Sequence, residues 1–269
     1  KLTLSEVRNL AYSEDAAVRK DAYEAELACY EKVKDAVAYS LNSIKMQDIS
    51  VCEMRGFKSP LAKTLYYARM KEETLTALLS AMNEYMPNFW HYLRLKAKKL
   101  GYEGGLPWYE LFAPLGKKKK KYTIEEAKEY LLHVFSNFSP DMAKIMERAF
   151  EEAWIDFYPK KGKVGGAFCE ALNNQKEFRV LTNFSGSFSD LVTLAHELGH
   201  GYHDFMVHDN RPLNTDYSMP VAETASTFNE NVITNYAIDH AADQEEKLAL
   251  LEGQLSDITQ IMCDIYSRF

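Results

Sequence analysis

The sequence is poor in the residues that mark several classes of protein. Its 269 residues include only four cysteines, 12 glycines and eight prolines, too few for a disulfide-rich, collagen-like or low-complexity chain. The cysteines lie far apart and form no C-x-x-C pair; they are Cys29, Cys52, Cys169 and Cys263. We therefore expect reduced thiols in a cytoplasmic protein and no disulfide framework.

An excess of positive charge and long apolar runs are also lacking. The chain carries 39 acidic against 32 basic residues, a net charge of −7, so no basic field is available to hold nucleic acid or an anionic membrane surface. No apolar run approaches the roughly 20 residues of a membrane-spanning helix, and Lys1 opens no signal peptide. We expect neither nucleic acid nor a membrane as a partner.

Helical periodicity dominates the first part of the chain, and we expect a helical subdomain over residues 1–160. Apolar residues recur every three or four positions from Tyr23 to Ile44, which predicts one long amphipathic helix with a stripe facing the core. Ser59 followed by Pro60 is typical of a helix start, and the pattern after it predicts helices that end at Pro87.

The glycine-rich segment from Lys161 to Gly166 interrupts this periodicity and predicts a second subdomain over residues 161–269. Residues 178–184 alternate partly between apolar and polar side chains, which predicts a strand. We place its residues 180–184 at the edge of a small sheet. A helix that begins at Ser187 or Ser189 follows.

The most informative stretch is the H-E-x-x-H motif of this helix. His196 and His200 lie four residues apart, so on a helix their ring nitrogens can be directed at one point, with Glu197 at the edge of the same face. Two neutral imidazoles suit zinc and leave positions for a third ligand and a water. A surface helix with two ordinary histidines is the alternative, which the neighbouring apolar stripe makes less favourable.

Two residues are candidates for the third ligand. His203 shares the face of the two histidines, but three donors stacked along one helix surround a tetrahedral metal poorly; we expect it to orient its neighbours instead. Glu223, 27 residues after His196, would complete a His-His-Glu site. Glu230, two turns after Glu223, suits a hydrogen-bond acceptor for a ligand histidine. A solvated helix glutamate remains the alternative for Glu230.

Four segments together resemble the oligoendopeptidase F branch of the thimet oligopeptidase family of zinc metallopeptidases. They agree in order and spacing and are residues 163–169, 180–187, 194–200 and 220–230. The resemblance implies a mainly α, zincin-like (gluzincin) fold with a helical bundle and a small β-sheet at the active-site cleft. It also implies that His196, His200 and Glu223 bind zinc and that Glu197 is the general base.

The resemblance further implies contacts with short peptide substrates. The backbone at Gly165 and Gly166 would approach the peptide, although a plain turn is an equal alternative, and Thr182 and Asn183 would contact it from the predicted edge strand. Members of the family are longer than this chain. The chain is therefore expected to be a fragment that lacks the segment supplying a histidine and tyrosines to stabilise the oxyanion, which would slow turnover.

The predicted function is zinc-dependent hydrolysis of internal peptide bonds in short oligopeptides. Water activated by zinc would attack the peptide carbonyl while Glu197 takes a proton and passes it to the leaving amine. Two alternatives remain open. A zinc carboxypeptidase could use the same ligands, and a non-catalytic, zinc-stabilised peptide-binding domain would need no base, so the presence of Glu197 argues against it.

Overall fold

The structure is a computed structural model that describes residue 2, residues 4–116 and residues 120–268. Helices predominate in this part of the chain, and one small sheet accompanies them, as the sequence predicted. The backbone divides into two compact units. Unit 1 comprises residues 1–117 and 251–269, and unit 2 comprises residues 118–250.

Unit 1 is built from helices. They are α1 (Leu4–Asn9), α2 (Ala16–Tyr30), α3 (Lys34–Met54), α4 (Pro60–Ala68) and α5 (Glu72–Lys99), with 3-10 turns at Leu10–Tyr12 and Trp108–Glu110. Ser59 caps α4 as predicted, since its side-chain oxygen accepts a hydrogen bond from the Ala62 N–H at 3.1 Å. Buried ion pairs join distant segments within the unit. Lys96 pairs with Glu252, which ties the last residues of the chain to α5.

Two helix predictions for unit 1 were wrong. The helix expected to run from Tyr23 to Ile44 is broken by a turn at residues 31–33, and its stripe is exposed, to 57% at Val37 and 61% at Ile44. Pro87 lies inside the 28-residue α5 and does not end it. A proline removes one backbone hydrogen bond, but the many other bonds of so long a helix and the burial of Met86 next to it keep the helix continuous.

Unit 2 contains the sheet and the helices that pack against it. Its elements are α6 (Ile124–Phe138), α7 (Pro140–Glu151), β1 (Ile155–Asp156), β2 (Phe168–Leu172), β3 (Glu177–Leu181), α8 (Phe188–Val207), a 3-10 turn at Pro212–Asn214, α9 (Met219–Asp239) and the first part of α10 (Gln244–Thr259). The rest of α10, from Leu251, and the π-helical turn at Gln260–Ile265 that follows it belong to unit 1. Residues from α6, α7, β3, α8 and α9 share one core; its most buried members include Leu131, Phe135, Met146, Phe178, Leu191, Leu194, Leu198 and Ile233. The boundary predicted near residue 160 falls inside this unit because α6 and α7 contribute to the same core.

The sheet has the strand order β1-β3-β2. β3 pairs in parallel with β1, with Ile155 opposite Val180, and antiparallel to β2, with Phe168 opposite Leu181. The prediction of an edge strand at residues 180–184 was therefore wrong, since β3 is the central strand. No described strand pairs with the other side of β2, which we call the free edge of β2.

Two further observations concern the cysteines and the helices. All four cysteines are free thiols. Among the described residues, no helix combines the length and the apolar character that spanning a bilayer would require.

Candidate metal centre

The helix that carries the H-E-x-x-H motif is held firmly at its start and along one face. Ser187 caps α8, and its side-chain oxygen accepts a hydrogen bond from the Asp190 N–H at 3.1 Å while Asp190 accepts one from the Ser187 N–H at 3.0 Å. This reciprocal pair is a capping box. Leu191, Leu194 and Leu198 are fully buried, so the rotation of α8 about its axis is set by packing.

A close approach of α9 brings a third donor opposite the two histidines. A Cβ atom at Gly199 would lie 2.8 Å from the Ala225 carbonyl oxygen, so only glycine allows the two helices to pack at this separation. Asn229, 1% exposed, donates a hydrogen bond from Nδ2 to the Ala195 carbonyl at 3.1 Å. These contacts fix α9 against α8 at the level of Glu223.

The side chains of His196, His200 and Glu223 converge on one point. The Nε2 atoms of His196 and His200 lie 3.1 Å apart. Oε2 of Glu223 lies 3.5 Å from Nε2 of His196 and 3.6 Å from Nε2 of His200. Tetrahedral coordination at about 2.0–2.1 Å places donor atoms about 3.3–3.4 Å apart. The observed separations span this value, and within the described part of the chain no other group of three His, Cys, Asp or Glu residues has such geometry.

Two further side chains orient these donors. Nδ1 of His196 is hydrogen-bonded to Oε1 of Glu230, which leaves Nε2 with its lone pair toward the convergence point. Ser226, one turn after Glu223, donates a hydrogen bond to Oε2 of Glu223 at 2.7 Å. Sequence analysis named Glu230 as a possible acceptor for a ligand histidine but did not consider Ser226. The spacing of Ser226, three residues after Glu223, could have indicated the contact.

The two histidines differ in their affinity for protons. Burial alone would lower the pKa of His196, but the hydrogen bond and the charge of Glu230 outweigh it and raise that pKa. Burial and the neighbouring His196 together lower the pKa of His200. His200 is therefore predominantly neutral at pH 7, the form in which an imidazole binds a metal.

Glu197 is buried beside this group, with only 5% of its surface exposed. Burial raises the pKa of its carboxyl to about 7, and the charges of Glu223 and Glu230 act in the same direction. A carboxyl group with a pKa near the working pH can both accept and return a proton. The arrangement thus combines three metal donors with a proton acceptor.

His203 does not join the converging donors. Its ring stacks on Tyr217 with centroids 4.3 Å apart, and the Tyr217 hydroxyl donates a hydrogen bond to Asp204 at 2.5 Å. Nδ1 of His203 is buried and has no hydrogen-bond partner among the described residues. The orienting role of His203 stays a prediction, while the contact of Tyr217 with α8 was not anticipated.

The predicted substrate contacts on β3 need correction. Thr182 is 2% exposed and its hydroxyl donates to the Phe157 carbonyl, so it is not available to a peptide. The side-chain amide of Asn183 donates hydrogen bonds to the backbone carbonyls of Val164 and Gly166. Both residues follow the central strand, which explains why their polar groups are used within the protein. Gly165 and Gly166 are exposed, and their contact with substrate stays a prediction.

Comparison with known proteins agrees with this architecture. Residues 9–266 match the model of peptidase family M3. The chain belongs to peptidase family M3. It is 31% identical to group B oligopeptidase PepB of Streptococcus agalactiae, over 95% of this chain and 42% of that protein. It is 30% identical to oligopeptidase PepF of Bacillus subtilis, over 92% of this chain and 37% of that protein.

Solved structures share the fold of this family member. PZ peptidase A with an inhibitor superposes with a TM-score of 0.78 at 18% identity, covering 97% of this chain and 47% of that one. Oligoendopeptidase F from Enterococcus faecium gives a TM-score of 0.63 at 21% identity, covering 97% and 39%. The chain spans about two fifths of the length of the curated relatives that it matches.

Proposed function

We propose that this chain is a zinc-dependent peptidase that hydrolyses internal bonds of short peptides. The observation that carries the proposal is the convergence of His196, His200 and Glu223 next to the buried Glu197. Nitrogen and oxygen donors at tetrahedral spacing favour zinc over magnesium or calcium, which prefer oxygen ligands. The names of the relatives, oligopeptidase and oligoendopeptidase, support short peptides as substrates.

Each residue of the site has a distinct part in this proposal. Zinc, when bound, would act as a Lewis acid that polarises the scissile carbonyl and makes an attacking water more acidic. His196, His200 and Glu223 would hold it, and Glu230 keeps His196 in the tautomer with a free Nε2. The carboxylate of Glu197 takes the proton from the attacking water and returns it to the leaving amine. In the metal-free site, burial raises the pKa of this carboxyl to about 7, which makes it a stronger proton acceptor than an exposed glutamate.

A peptide would bind along the free edge of β2. An exposed strand edge offers unpaired backbone groups, to which an extended peptide adds as a further strand. This replaces the edge that sequence analysis placed at residues 180–184. The free thiols support a location in a reducing compartment such as the cytoplasm, and the acidic net charge of −7 argues against nucleic acid as a partner.

The decisive experiment compares the wild-type chain with Glu197→Gln. Both proteins are assayed for zinc content and for cleavage of a quenched fluorescent peptide of about eight residues, with and without a chelator. We expect stoichiometric zinc in both proteins, and loss of cleavage by about 10²–10⁴-fold in the variant because the proton acceptor is gone. Glu147→Gln, on the exposed surface of α7, carries the same change in charge and is the matched control.

The outcomes separate the alternatives. Mapping of products by mass spectrometry distinguishes internal cleavage from the release of C-terminal residues, which would indicate a carboxypeptidase. Zinc without cleavage, both in this chain and in a version as long as its relatives, would indicate a peptide-binding domain. Full activity in Glu197→Gln would remove Glu197 from its proposed role, and absence of zinc would refute the site.

A further inference from the structure

The loop that joins β1 to β2 is tied down by two side chains. Asn183, two residues beyond the end of β3, donates hydrogen bonds from Nδ2 to the Val164 carbonyl at 3.0 Å and to the Gly166 carbonyl at 2.8 Å. Lys163 has a side chain that is 2% exposed and donates to the carbonyls of Asp156 and Tyr158. The loop is therefore held in one conformation although it contains no regular structure.

The strand register explains why Asn183 is needed at this point. The last backbone pair of β2 and β3 is Phe168 with Leu181, so two residues further along each strand Gly166 comes opposite Asn183. Gly166 has a φ of +80°, which turns the backbone out of the extended conformation and ends the ladder. The side-chain amide of Asn183 replaces the backbone hydrogen bonds that the ladder would have made there.

The opposite face of the loop is open. No described atom lies within 4 Å of the position that a Cβ would take at Gly165 or Gly166, and Val164 is 59% exposed. This surface leads directly into the free edge of β2, where Phe168 is 45% exposed. The two N–H groups of the Asn183 amide are both engaged on the loop, so these donors are not available to a peptide.

We propose that Asn183 is a positioning residue for peptide binding, which rests on the function proposed above. Its hydrogen bonds to Val164 and Gly166 keep the loop ordered at the end of the free edge of β2. A peptide that adds to this edge would therefore contact a loop that is already ordered. Without the amide, part of the binding free energy would be spent on ordering the loop. Asn183 touches no metal donor, so the chemical step is independent of it.

The test uses the full 269-residue chain loaded with zinc and the quenched fluorescent peptide of about eight residues. For Asn183→Ala we expect KM to rise about three- to tenfold, the worth of about one hydrogen bond, with kcat and zinc content unchanged. Hydrogen exchange of the amides in residues 157–168 should be faster. Asn174→Ala, in the exposed turn between β2 and β3, is the control and should leave KM, kcat and exchange unchanged.

A second variant keeps the shape of the side chain. Asn183→Asp has no N–H donor and places a carboxylate against two carbonyl oxygens, so it should raise KM at least as much as Asn183→Ala. The role of Asn183 would be refuted if either variant kept the wild-type KM. It would also be refuted if kcat or zinc content fell in place of a rise in KM. Both outcomes would leave the proposed function standing. A wild-type protein that cleaves no peptide, both as this chain and in a version as long as its relatives, would overturn the proposed function and this inference together.

Discussion

Replacement of Gly199 by alanine tests how α8 and α9 build the proposed metal site. The added Cβ would lie 2.8 Å from the Ala225 carbonyl oxygen, 3.0 Å from Nδ2 of Asn229 and 3.0 Å from Cα of Ser226, whereas ordinary contacts begin at 3.4 Å. Two of these neighbours are backbone atoms of α9, which cannot rotate away. The helix itself must therefore move by several tenths of an ångström.

The cost follows from two opposing effects. Overpacking of a well-packed interface costs about 1–3 kcal/mol, while alanine in a helix is favoured over glycine by about 1 kcal/mol. Gly253→Ala in α10 isolates the second effect, since no described atom lies within 4 Å of its Cβ position. We expect the free energy of unfolding of Gly199→Ala to be lower than that of Gly253→Ala by about 1–3 kcal/mol in denaturant titrations.

The same displacement should weaken zinc binding, because α9 carries both Glu223 and Glu230. Metal–ligand distances tolerate deviations of only about 0.2 Å. We therefore expect the zinc dissociation constant of Gly199→Ala, measured by competition with a chelating indicator, to rise about tenfold or more, which corresponds to about 1.4 kcal/mol. Gly253→Ala should bind zinc as the wild type does. A Gly199→Ala variant as stable as Gly253→Ala, with unchanged zinc affinity, would refute the close-packing argument.

Two further predictions concern the carboxylates around the site. Glu230→Gln keeps an acceptor near His196 but removes the charge, so the zinc affinity of this variant should fall about 10- to 100-fold. Competition with a chelator measures the affinity. A zinc affinity equal to that of Glu147→Gln would contradict the prediction. In the metal-free protein, the pKa of Glu197 is raised from 4.5 to about 7 by burial. The folded state therefore holds a proton that the unfolded chain releases, and stability falls as the pH rises from about 5 to about 7. Denaturant titrations across this range should show Glu197→Gln gaining stability relative to the wild type as the pH rises, and a pH-independent difference would disprove the buried, protonated carboxyl.

Several features within single helices could be predicted from local sequence patterns. The spacing of His196 and His200 on one helix and the proline after Ser59 each depend on residues within one or two helical turns. Such arrangements follow from the 3.6-residue period and from unsatisfied N–H groups at helix starts. The placement of Glu223 and Glu230 on one face of α9, two turns apart, could be predicted for the same reason.

Tertiary structure decided the features that depend on segments far apart in the chain. β1 is two residues long, too short to leave a pattern, yet its pairing makes β3 the central strand, and the Thr182 hydroxyl donates a hydrogen bond to the Phe157 carbonyl just after β1. The stripe around Val37 has the period of a core helix but is exposed, because periodicity gives the direction of a face and not what covers it. The sequence by itself determined which side chains share a helix face, since neighbouring residues fix that. Only the tertiary structure decided what each face meets, because that depends on backbone pairings and close helix contacts between residues distant in sequence.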